Sequence, residues 1–255
     1  MHSTATIVPS RGSWWDPAGF WYGLHTLFDP LRIAYFRAVL GDARMSARVL
    51  DIGSGGGFVG VGLGDIARVT AVDRSHAAVR EAHAVGAGAA VTTDAHRLPF
   101  SDATFDVVVC SEVLEHFEDP SRVITEAARV TAPGGLFLFS APTRTWLSRL
   151  VLIEIGQRWW PTRVLPRDLH EWERFMTPEE LDGLLVAAGF TVRHIAGVGI
   201  QPKDLPRALE ALVLLRLGRI RYADAGGRIK LALVDHPRIA MIGHAELMAE
   251  PNRDG

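Results

Sequence analysis

The stretch R-V-L-D-I-G-S-G-G-G, residues Arg48–Gly57, decides the fold. It begins with a short apolar run, Val49, Leu50 and Ile52, which is typical of a strand buried on both faces of a sheet. Asp51 lies near the carboxyl end of that run, and four glycines with a single serine follow it. Glycine tolerates positive φ angles and lets a ligand approach the backbone closely. A strand, a glycine turn and then a helix are how an open α/β sheet forms a nucleotide site at its carboxyl edge.

The glycines alone do not identify the ligand. The dinucleotide fingerprint G-x-G-x-x-G is matched by Gly55, Gly57 and Gly60, and a tight turn without a ligand is another interpretation of the same residues. Asp51 favours a different ligand, because an acid directly before the glycines would repel a pyrophosphate but suits a cationic amine, as in S-adenosylmethionine. Asp73 ends the next apolar run, where a carboxylate can accept hydrogen bonds from both ribose hydroxyls. Since either nucleotide has such a ribose, Asp73 supports the site without choosing the ligand.

Composition limits the classes of protein to which the chain can belong. Its 255 residues suit one domain with additions, or at most two, and 48% hydrophobic residues are enough for a full core. A net charge of −2 gives no case for a nucleic-acid partner. The single cysteine, Cys110, cannot form an internal disulfide, and no apolar run reaches the ~18 residues of a membrane span. The first residues also lack a signal-peptide core, so we expect a cytoplasmic protein.

Strands and helices alternate after the glycine loop. Further strands are predicted at residues 69–73, 90–93, 105–110, 136–141, 190–198 and 238–243, and helices at residues 58–66, 75–85, 120–131 and 177–189. Such alternation indicates a parallel, doubly wound α/β sheet. The third strand ends at Asp94 and Ala95, which in such a fold meet the adenine of a nucleotide, so we expect Asp94 to accept from the adenine amino group.

The residues before this sheet are predicted to form a helical cover. Residues 1–13 are polar and are expected to be loose. Asp29 and Pro30 are typical of a helix start, with Asp29 as the N-cap and Pro30 in the first turn. Four aromatic residues come earlier, and they either pack over the sheet or wall an apolar substrate. They are Trp14, Trp15, Phe20 and Trp21.

Two apolar segments that are rich in arginine interrupt the alternation, at residues 143–168 and 205–222. The first contains Trp159 and Trp160, and the second is predicted to be one helix, followed by a turn at the glycines 226 and 227. Such segments either close over a site as a lid or rest on an anionic membrane surface. The tail after Met248 is expected to fray.

These motifs together resemble those of the class I S-adenosylmethionine-dependent methyltransferases. They lie between Arg48 and Ala141 and read V-L-D-I-G-S-G-G-G, V-D at Asp73, L-P-F, F-D-V-V-V-C-S-E-V-L-E-H and P-G-G. Within that class the chain is most similar to the ubiquinone-biosynthesis O-methyltransferases, which methylate polyprenyl catechols and hydroquinones. Four motifs carry this narrower resemblance: W-W-D at Trp14–Asp16, L-H at Leu24–His25, D-P-L-R-I-A-Y at Asp29–Tyr35 and L-H-E-W-E-R-F-M-T-P-E-E-L from Leu169.

The resemblance implies a Rossmann-like, doubly wound sheet of seven strands, mostly parallel, with the last strand antiparallel. It divides the chain into a helical cover at residues 1–46 and a methyltransferase domain at residues 47–248, with lid insertions at about 143–170 and 201–233. The enlarged stretch before the last strand departs from the family. This departure leaves the substrate open among a quinone precursor, a naphthoquinol and another phenolic metabolite, and a homodimer is left open as well.

The motifs and the resemblance together predict the residues of an S-adenosylmethionine site. The resemblance implies that Arg32 holds the cofactor carboxylate, for which a guanidinium offers a bidentate fork, and that Ser111 contributes its backbone. The predicted cofactor residues are Arg32, Asp51, Gly53, Ser54, Gly55, Gly57, Asp73, Arg74, Asp94, Ala95 and Ser111.

The expected reaction is an in-line displacement at the sulfonium-bound methyl group, and it requires an aligned, deprotonated acceptor. Glu112, Glu115 and His116 would share one face if a helix begins there, and the resemblance assigns Mg²⁺ to these three residues. Without a metal ion, Glu112 and His116 would shape the pocket or act directly. His170 is a second candidate base or a structural residue that pins its loop, and His25 is a weaker candidate.

Three alternatives to an O-methyltransferase stay open. The first is an N- or C-methyltransferase of another small metabolite. The second is a non-catalytic cofactor-binding or lipid-associated protein, which the intact glycine loop disfavours. The third is a nicotinamide oxidoreductase, which Asp51 and the absence of a second nucleotide half disfavour.

Overall fold

The structure, a computed structural model, describes residues 13–159, 163–167 and 169–248. The predictions for residues 1–12, for Trp160 and for the tail after Met248 lie outside these described residues. The strands are β1 Ala47–Ile52, β2 Ala67–Asp73, β3 Ala89–Thr92, β4 Phe105–Ser111, β5 Thr131–Pro142, β6 Phe190–Ile200, β7 Leu231–Val234 and β8 Ala240–Leu247. The helices are α1 Phe20–Leu40, α2 Phe58–Leu63, α3 His76–Ala84, α4 Pro120–Val130, α5 Trp146–Ser148 with a π-helical continuation at Arg149–Arg158, α6 Pro178–Ala187, α7 Leu205–Arg216 and α8 Tyr222–Arg228. Among the described helices, none combines the length and the apolar character that crossing a membrane requires.

The strands of the described residues form one sheet in the order β3-β2-β1-β4-β5-β8-β6-β7. The first five strands are parallel, and β8 lies antiparallel between β5 and β6. The predicted doubly wound α/β sheet with an antiparallel last strand is therefore confirmed. The predicted count of seven strands is wrong, because β7 pairs antiparallel with the end of β6 and makes eight. The run L-A-L-V of β7 is too short for its periodicity to distinguish a strand from a piece of a helix.

Both faces of the sheet are buried, because successive side chains of each strand point to opposite sides. On one side, Leu50 and Val108 pack with side chains of α4 and α6. On the other side, Val49 and Val107 pack with α1 and α2, where Phe36 is fully buried. Burial on two faces explains the continuous apolar runs from which the strands were predicted.

The first helix begins earlier than predicted. It starts at Phe20 and continues through Pro30, so the predicted start at Asp29 is wrong. A proline inside a helix removes one backbone donor, and packing of the preceding turns against α8 and the N-terminal aromatic residues offsets that loss. The Asp29 carboxylate does not cap a helix; it pairs with the side chains of Arg32 and His25.

The segment between β6 and β7 contains two helices, where the sequence predicted one over residues 205–222. The first of them ends at Arg216, because Gly218 has a φ of 66° and reverses the chain. The predicted turn at residues 226 and 227 is also wrong, since both lie inside α8. Gly226 serves close packing there: a Cβ at this position would lie 2.2 Å from Oγ1 of Thr26 on α1.

Candidate functional site

A cavity of about 760 Å³ lies at the carboxyl ends of the parallel strands, where sheets of this kind bind ligands. Its size falls within the roughly 300–1,000 Å³ of small-molecule sites. We divide it into two halves. The polar half is lined by α1, by the ends of β1, β2, β3 and β4, and by every predicted cofactor residue except Gly57. The apolar half is lined by Val151, Leu152, Ile155, Val164, Leu165, Val198, Ile200, Leu209, Leu212, Val213, Arg216, Leu217, Ile229, Leu231 and Ile239.

The glycine loop presents bare main chain to the polar half. Gly53 has a φ of 72°, and a Cβ there would lie 2.2 Å from Cγ2 of Val113, so only glycine fits. Asp73 fixes the loop, since its carboxylate accepts from the N–H of Gly55 at 3.0 Å and from the N–H of Ser75 at 2.8 Å. The carboxylate thus connects the ends of β1 and β2 at the predicted ribose position.

Asp51 is a buried acid below this loop. Its residue surface is 2% exposed, and its Oδ2 atom has no hydrogen-bond partner among the described residues. Burial raises the pKa of Asp51 to about 7, although the charge of Arg32 opposes the shift. A buried carboxylate with one oxygen lacking a partner gains stability from a bound cation, which is the role that the sequence predicts for it.

Arg32 reaches the polar half from α1. It is 6% exposed, donates from Nη1 to Oγ of Ser111 at 2.8 Å and pairs through Nη2 with Asp29. The Nε atom has no hydrogen-bond partner in the described part of the chain. A buried guanidinium with an unused donor beside the cavity is suited to a carboxylate ligand.

The residues after β3 border the polar half on its other side. Asp94 accepts from the N–H of His96 at 3.0 Å, and the same oxygen lies 2.7 Å from Nδ1 of that ring. Ala95 is buried, and Arg74 lines the cavity beside it. On the loop itself, the Oγ atom of Ser54 is buried without a hydrogen-bond partner among described residues. The polar half therefore offers oxygen acceptors both after β3, at Asp94, and on the glycine loop, at Ser54.

The chain after β4 does not start a helix. Glu112 has a φ of 53°, and the residues that follow form one 3₁₀ turn at Leu114–His116. Glu112, Glu115 and His116 therefore do not share the face of a helix. The left-handed backbone directs the Glu112 side chain to within hydrogen-bonding reach of Ser140 and close to the charge of Arg32. Burial raises the pKa of Glu112, and the charge of Arg32 opposes that shift.

Glu115, His116 and His170 form a second group, in which the two histidines line the cavity and Glu115 is buried behind its surface. One potential ligand atom from each of them lies within 4.8 Å of the other two. Glu115 is 3% exposed and neither of its carboxylate oxygens has a hydrogen-bond partner among described residues, while the two imidazole rings stack at 5.7 Å. Burial lowers the pKa of His116 to about 3 and of His170 to about 4, and it raises the pKa of Glu115 well above its ordinary value. Both imidazoles are therefore neutral at pH 7 and can accept a proton or a metal ion.

Gln157 is a positioning residue that sequence reasoning missed. It lies in the π-helical segment and is 3% exposed. Its Oε1 accepts from the His170 N–H at 2.9 Å, and its Nε2 donates to the His170 carbonyl at 3.1 Å. The clamp fixes the loop that carries His170. Its only signal in the sequence is one amide within an apolar stretch.

The N-terminal aromatic residues cover the glycine loop and line the cavity. Trp15 donates from Nε1 to the Gly56 carbonyl at 2.8 Å and so covers the glycine loop. Trp14 and Trp21 line the cavity. His25 stacks on Phe58 with centroids 3.4 Å apart, and burial lowers the pKa of this histidine.

Comparison with known proteins agrees with this geometry. A family model described as a methyltransferase domain matches residues 50–139. The chain is 35% identical over 208 residues to the ubiquinone biosynthesis O-methyltransferase of Alkalilimnicola ehrlichii, an alignment that covers 79% of this chain and 83% of that relative. The protein of the same name from Paraburkholderia phymatum is 36% identical over 200 residues, with 74% and 82% covered. A solved S-adenosylmethionine-dependent methyltransferase from Aquifex aeolicus superposes with a TM-score of 0.55 at 15% identity, over 88% of this chain and 92% of that one, and supports the fold alone.

Proposed function

This chain belongs to the family of ubiquinone biosynthesis O-methyltransferases and is an S-adenosylmethionine-dependent methyltransferase; from that premise we propose that its acceptor is a ring hydroxyl of a prenylated phenol, catechol or quinol. The names of the relatives suggest the acceptor class. The observation that carries the proposal is the continuity of the cavity, in which a polar half and an apolar half share one space with His116 and His170 on its wall. A nucleotide cofactor and an apolar-tailed ring have opposite surface chemistry, and this cavity provides for both.

The polar half fits S-adenosylmethionine, because its buried groups without partners match the charges of that cofactor. When bound, the cofactor supplies a methyl group on a sulfonium centre. Asp51 would pair with the amino group, and Arg32 would hold the carboxylate through its unused donor. Asp73 would accept from the ribose hydroxyls, and Asp94 from the adenine amino group. The remaining residues of the proposed cofactor site are Gly53, Ser54, Gly55, Gly57, Arg74, Ala95 and Ser111.

The acceptor hydroxyl must lose its proton for transfer to proceed. Without a metal ion, His170 is the stronger candidate for the proton acceptor, since its Nδ1 has no hydrogen-bond partner in the described structure, and His116 stacks beside it. With a pKa of about 4, however, neutral His170 is a weak base towards a phenol, whose pKa is near ~10 by analogy with tyrosine. Glu112 would contribute charge close to Arg32. Efficient deprotonation therefore calls for a group that lowers the pKa of the phenol.

We extend the proposal to a divalent cation at the wall of the cavity. The resemblance implied Mg²⁺ on Glu112, Glu115 and His116, but Glu112 lies close to Arg32 and His170 stands in its place. The buried Glu115 carboxylate, which makes no hydrogen bond in the described structure and lies 3.6 Å from Nε2 of His116, and two neutral imidazoles fit a divalent cation. Imidazole donors suit Mn²⁺, Fe²⁺ or Zn²⁺ better than Mg²⁺, which prefers oxygen. When bound, such an ion lowers the pKa of a coordinated hydroxyl.

We also propose that the enzyme works in the cytoplasm at a membrane surface, where a prenylated acceptor would reside. Trp146 and Trp159 are 75% and 59% exposed, and Arg149 and Arg158 lie in the same segment. Exposed aromatic side chains beside arginines suit an anionic bilayer surface. Flotation with liposomes, with and without anionic lipid, tests this contact, and a protein that floats with neither composition would refute it.

The division of the chain is part of the same proposal. Residues 47–248 would form the catalytic domain, residues 1–46 its cover, and residues 143–170 and 201–233 its lids. A homodimer remains a prediction. Light scattering after size-exclusion chromatography tests it, and a mass of 27.9 kDa would exclude it.

The proposed function is tested with methyl-labelled S-adenosylmethionine and a prenylated catechol. We expect one product with the labelled methyl group on a ring oxygen, formed more slowly after treatment with a chelator and restored faster by Mn²⁺ than by Mg²⁺. A product labelled on a ring carbon, or no transfer to any phenolic acceptor, would overturn the proposal.

A further inference from the structure

Nearly half of the residues that line the apolar half of the cavity belong to the segment that enlarges this chain before its last strand. The lining side chains from this segment are Leu209, Leu212, Val213, Arg216, Leu217, Ile229 and Leu231. Among the described residues of the apolar half, Arg216 is the one with a charge. Such a surface has few groups that could orient a nucleotide or a free phenol, and it is suited to hydrocarbon.

The α7 wall is fixed to the body of the molecule. Ala208 and Ala211 are 1% and 0% exposed and pack in one cluster with Ile229. The following helix, α8, crosses α1 at close range, since a Cβ at Gly23 would lie 2.3 Å from the Cβ of Tyr222. Contacts within the chain therefore hold the wall beside the cavity.

One row of α7 side chains lines the cavity and also faces solvent. Leu209, Val213 and Leu217 follow one another at intervals of four residues, which places them on one stripe of the helix. They are 54%, 57% and 64% exposed. Ile155 of the π-helical segment lines the cavity too and is 37% exposed. Lining residues that are half exposed mean that the cavity opens sideways along this stripe.

We propose that the apolar half is a subsite for the isoprenoid tail of the acceptor, and that a tail longer than the cavity leaves through the opening along α7. The inference rests on the proposed function, because the ring must lie near His116 and His170 for its tail to reach α7. The inserted segment then determines specificity by favouring tailed over tail-less acceptors. A simple closing lid would require neither an apolar cavity beneath it nor apolar lining residues that are half exposed.

The first experiment compares catechols that carry zero, one, two, three and six isoprene units, assayed in the same detergent. We expect kcat/KM to rise at least tenfold over the first units and then to stay level, since the later units lie outside the cavity. Equal kcat/KM for all the acceptors would overturn the subsite while leaving the O-methyltransferase proposal intact. A steady fall with tail length would overturn the open side.

The second experiment changes the subsite at one point. Leu209→Arg places a charge on the lining row, and Leu205→Arg is its matched control, because Leu205 lies one turn earlier, is 47% exposed and does not line the cavity. We expect the ratio of kcat/KM between the two-unit and tail-less acceptors to fall at least tenfold in Leu209→Arg and to remain at the wild-type value in Leu205→Arg. The same ratio in both variants would refute the subsite.

Calorimetry with the two-unit catechol separates the two proposals. Tight binding that Leu209→Arg weakens, without methylation of any phenolic acceptor, would support the subsite and refute the proposed function. Methylation of the tail-less acceptor, with equal binding of tailed and tail-less catechols, would support the proposed function and refute the subsite. A circular dichroism melt of both variants shows whether each is folded.

Discussion

In the proposed assignment, the two halves of the cavity would recognise their ligands by different kinds of interaction. The polar half would depend on directional contacts from Asp51, Arg32 and a glycine backbone, and at Gly53 a side chain would clash with Val113. The apolar half depends on the removal of hydrocarbon from water, which scales with area and tolerates exchange among apolar side chains. A methyltransferase can therefore keep its cofactor site and change its acceptor by altering one inserted segment.

The largest expected effect is in the glycine loop. Gly53→Ala combines a φ of 72° with a Cβ that would lie 2.2 Å from Val113, so we expect cofactor affinity to fall by roughly a hundredfold or more, about 2.7 kcal/mol. Gly86→Ala is the control, since Gly86 also has a positive φ, 77°, but a Cβ there meets nothing within 4 Å. Calorimetry with S-adenosylhomocysteine measures both variants. Equal affinities would show that the cofactor does not rest on this loop.

The next effect is on Mn²⁺ affinity, and it distinguishes the proposed ligand Glu115 from the nearby Glu112. Glu115→Gln removes the buried carboxylate. We expect Mn²⁺ affinity to fall on the order of a hundredfold, because loss of a residue that merely supports a metal ligand already costs up to about that much. Glu112→Gln should lower Mn²⁺ affinity less than Glu115→Gln does, because Glu112 lies close to Arg32 and outside the ion group and acts on Glu115 only through its charge. Electron paramagnetic resonance of free Mn²⁺ measures both. Equally large losses in both variants would restore Glu112 to the ligand set that the sequence predicted.

Cofactor affinity should depend on pH through Asp51, the buried acid of the polar half. Because burial raises the pKa of Asp51 to about 7, the carboxyl is protonated below that pH and must lose its proton to pair with an ammonium group. We expect cofactor affinity to rise as pH increases from 5.5 to 8 and then to level off. Asp51→Asn should bind roughly 10- to 30-fold more weakly at pH 8, as for loss of a charge-assisted hydrogen bond, with a flat pH profile. A wild-type profile that falls over this range would contradict the assignment.

The smallest effect concerns the two hydrogen bonds between Gln157 of the π-helical segment and the backbone of His170. Gln157→Ala removes both hydrogen bonds to the His170 backbone, and we expect kcat to fall about three- to tenfold through lost positioning. Cofactor affinity should not change, since Gln157 does not line the cavity. Parallel measurements of kcat and of S-adenosylhomocysteine affinity check this. A fall in affinity that matches the fall in kcat would show a general structural role.

The polar half could be predicted from the sequence because its information is local. The run from Arg48 to Gly57 contains the strand, the turn and the acid, and Asp73 marks the next strand end by the same pattern. Contacts between distant segments could not be predicted in this way. The φ of 53° at Glu112, the passage of α1 through Pro30 and the clamp at Gln157 each depend on packing against segments far along the chain.

The apolar half illustrates the same limit. Its residues were recognised as apolar, yet the helix over 205–222 was predicted without its break, and β7 was missed because four residues carry no clear period. Composition indicated a covering segment, while the side opening depends on which face α7 turns towards the body. That orientation is set by Ala208 and Ala211, two small residues whose burial no local pattern reveals.

The most direct test is a crystal structure of the enzyme with S-adenosylhomocysteine and a catechol that carries two isoprene units. We expect the homocysteine amino group at Asp51, the ribose at Asp73, the ring near His116 and His170, and the tail against α7. A homocysteine moiety placed away from Asp51, or a tail that leaves the cavity without touching α7, would contradict this expectation.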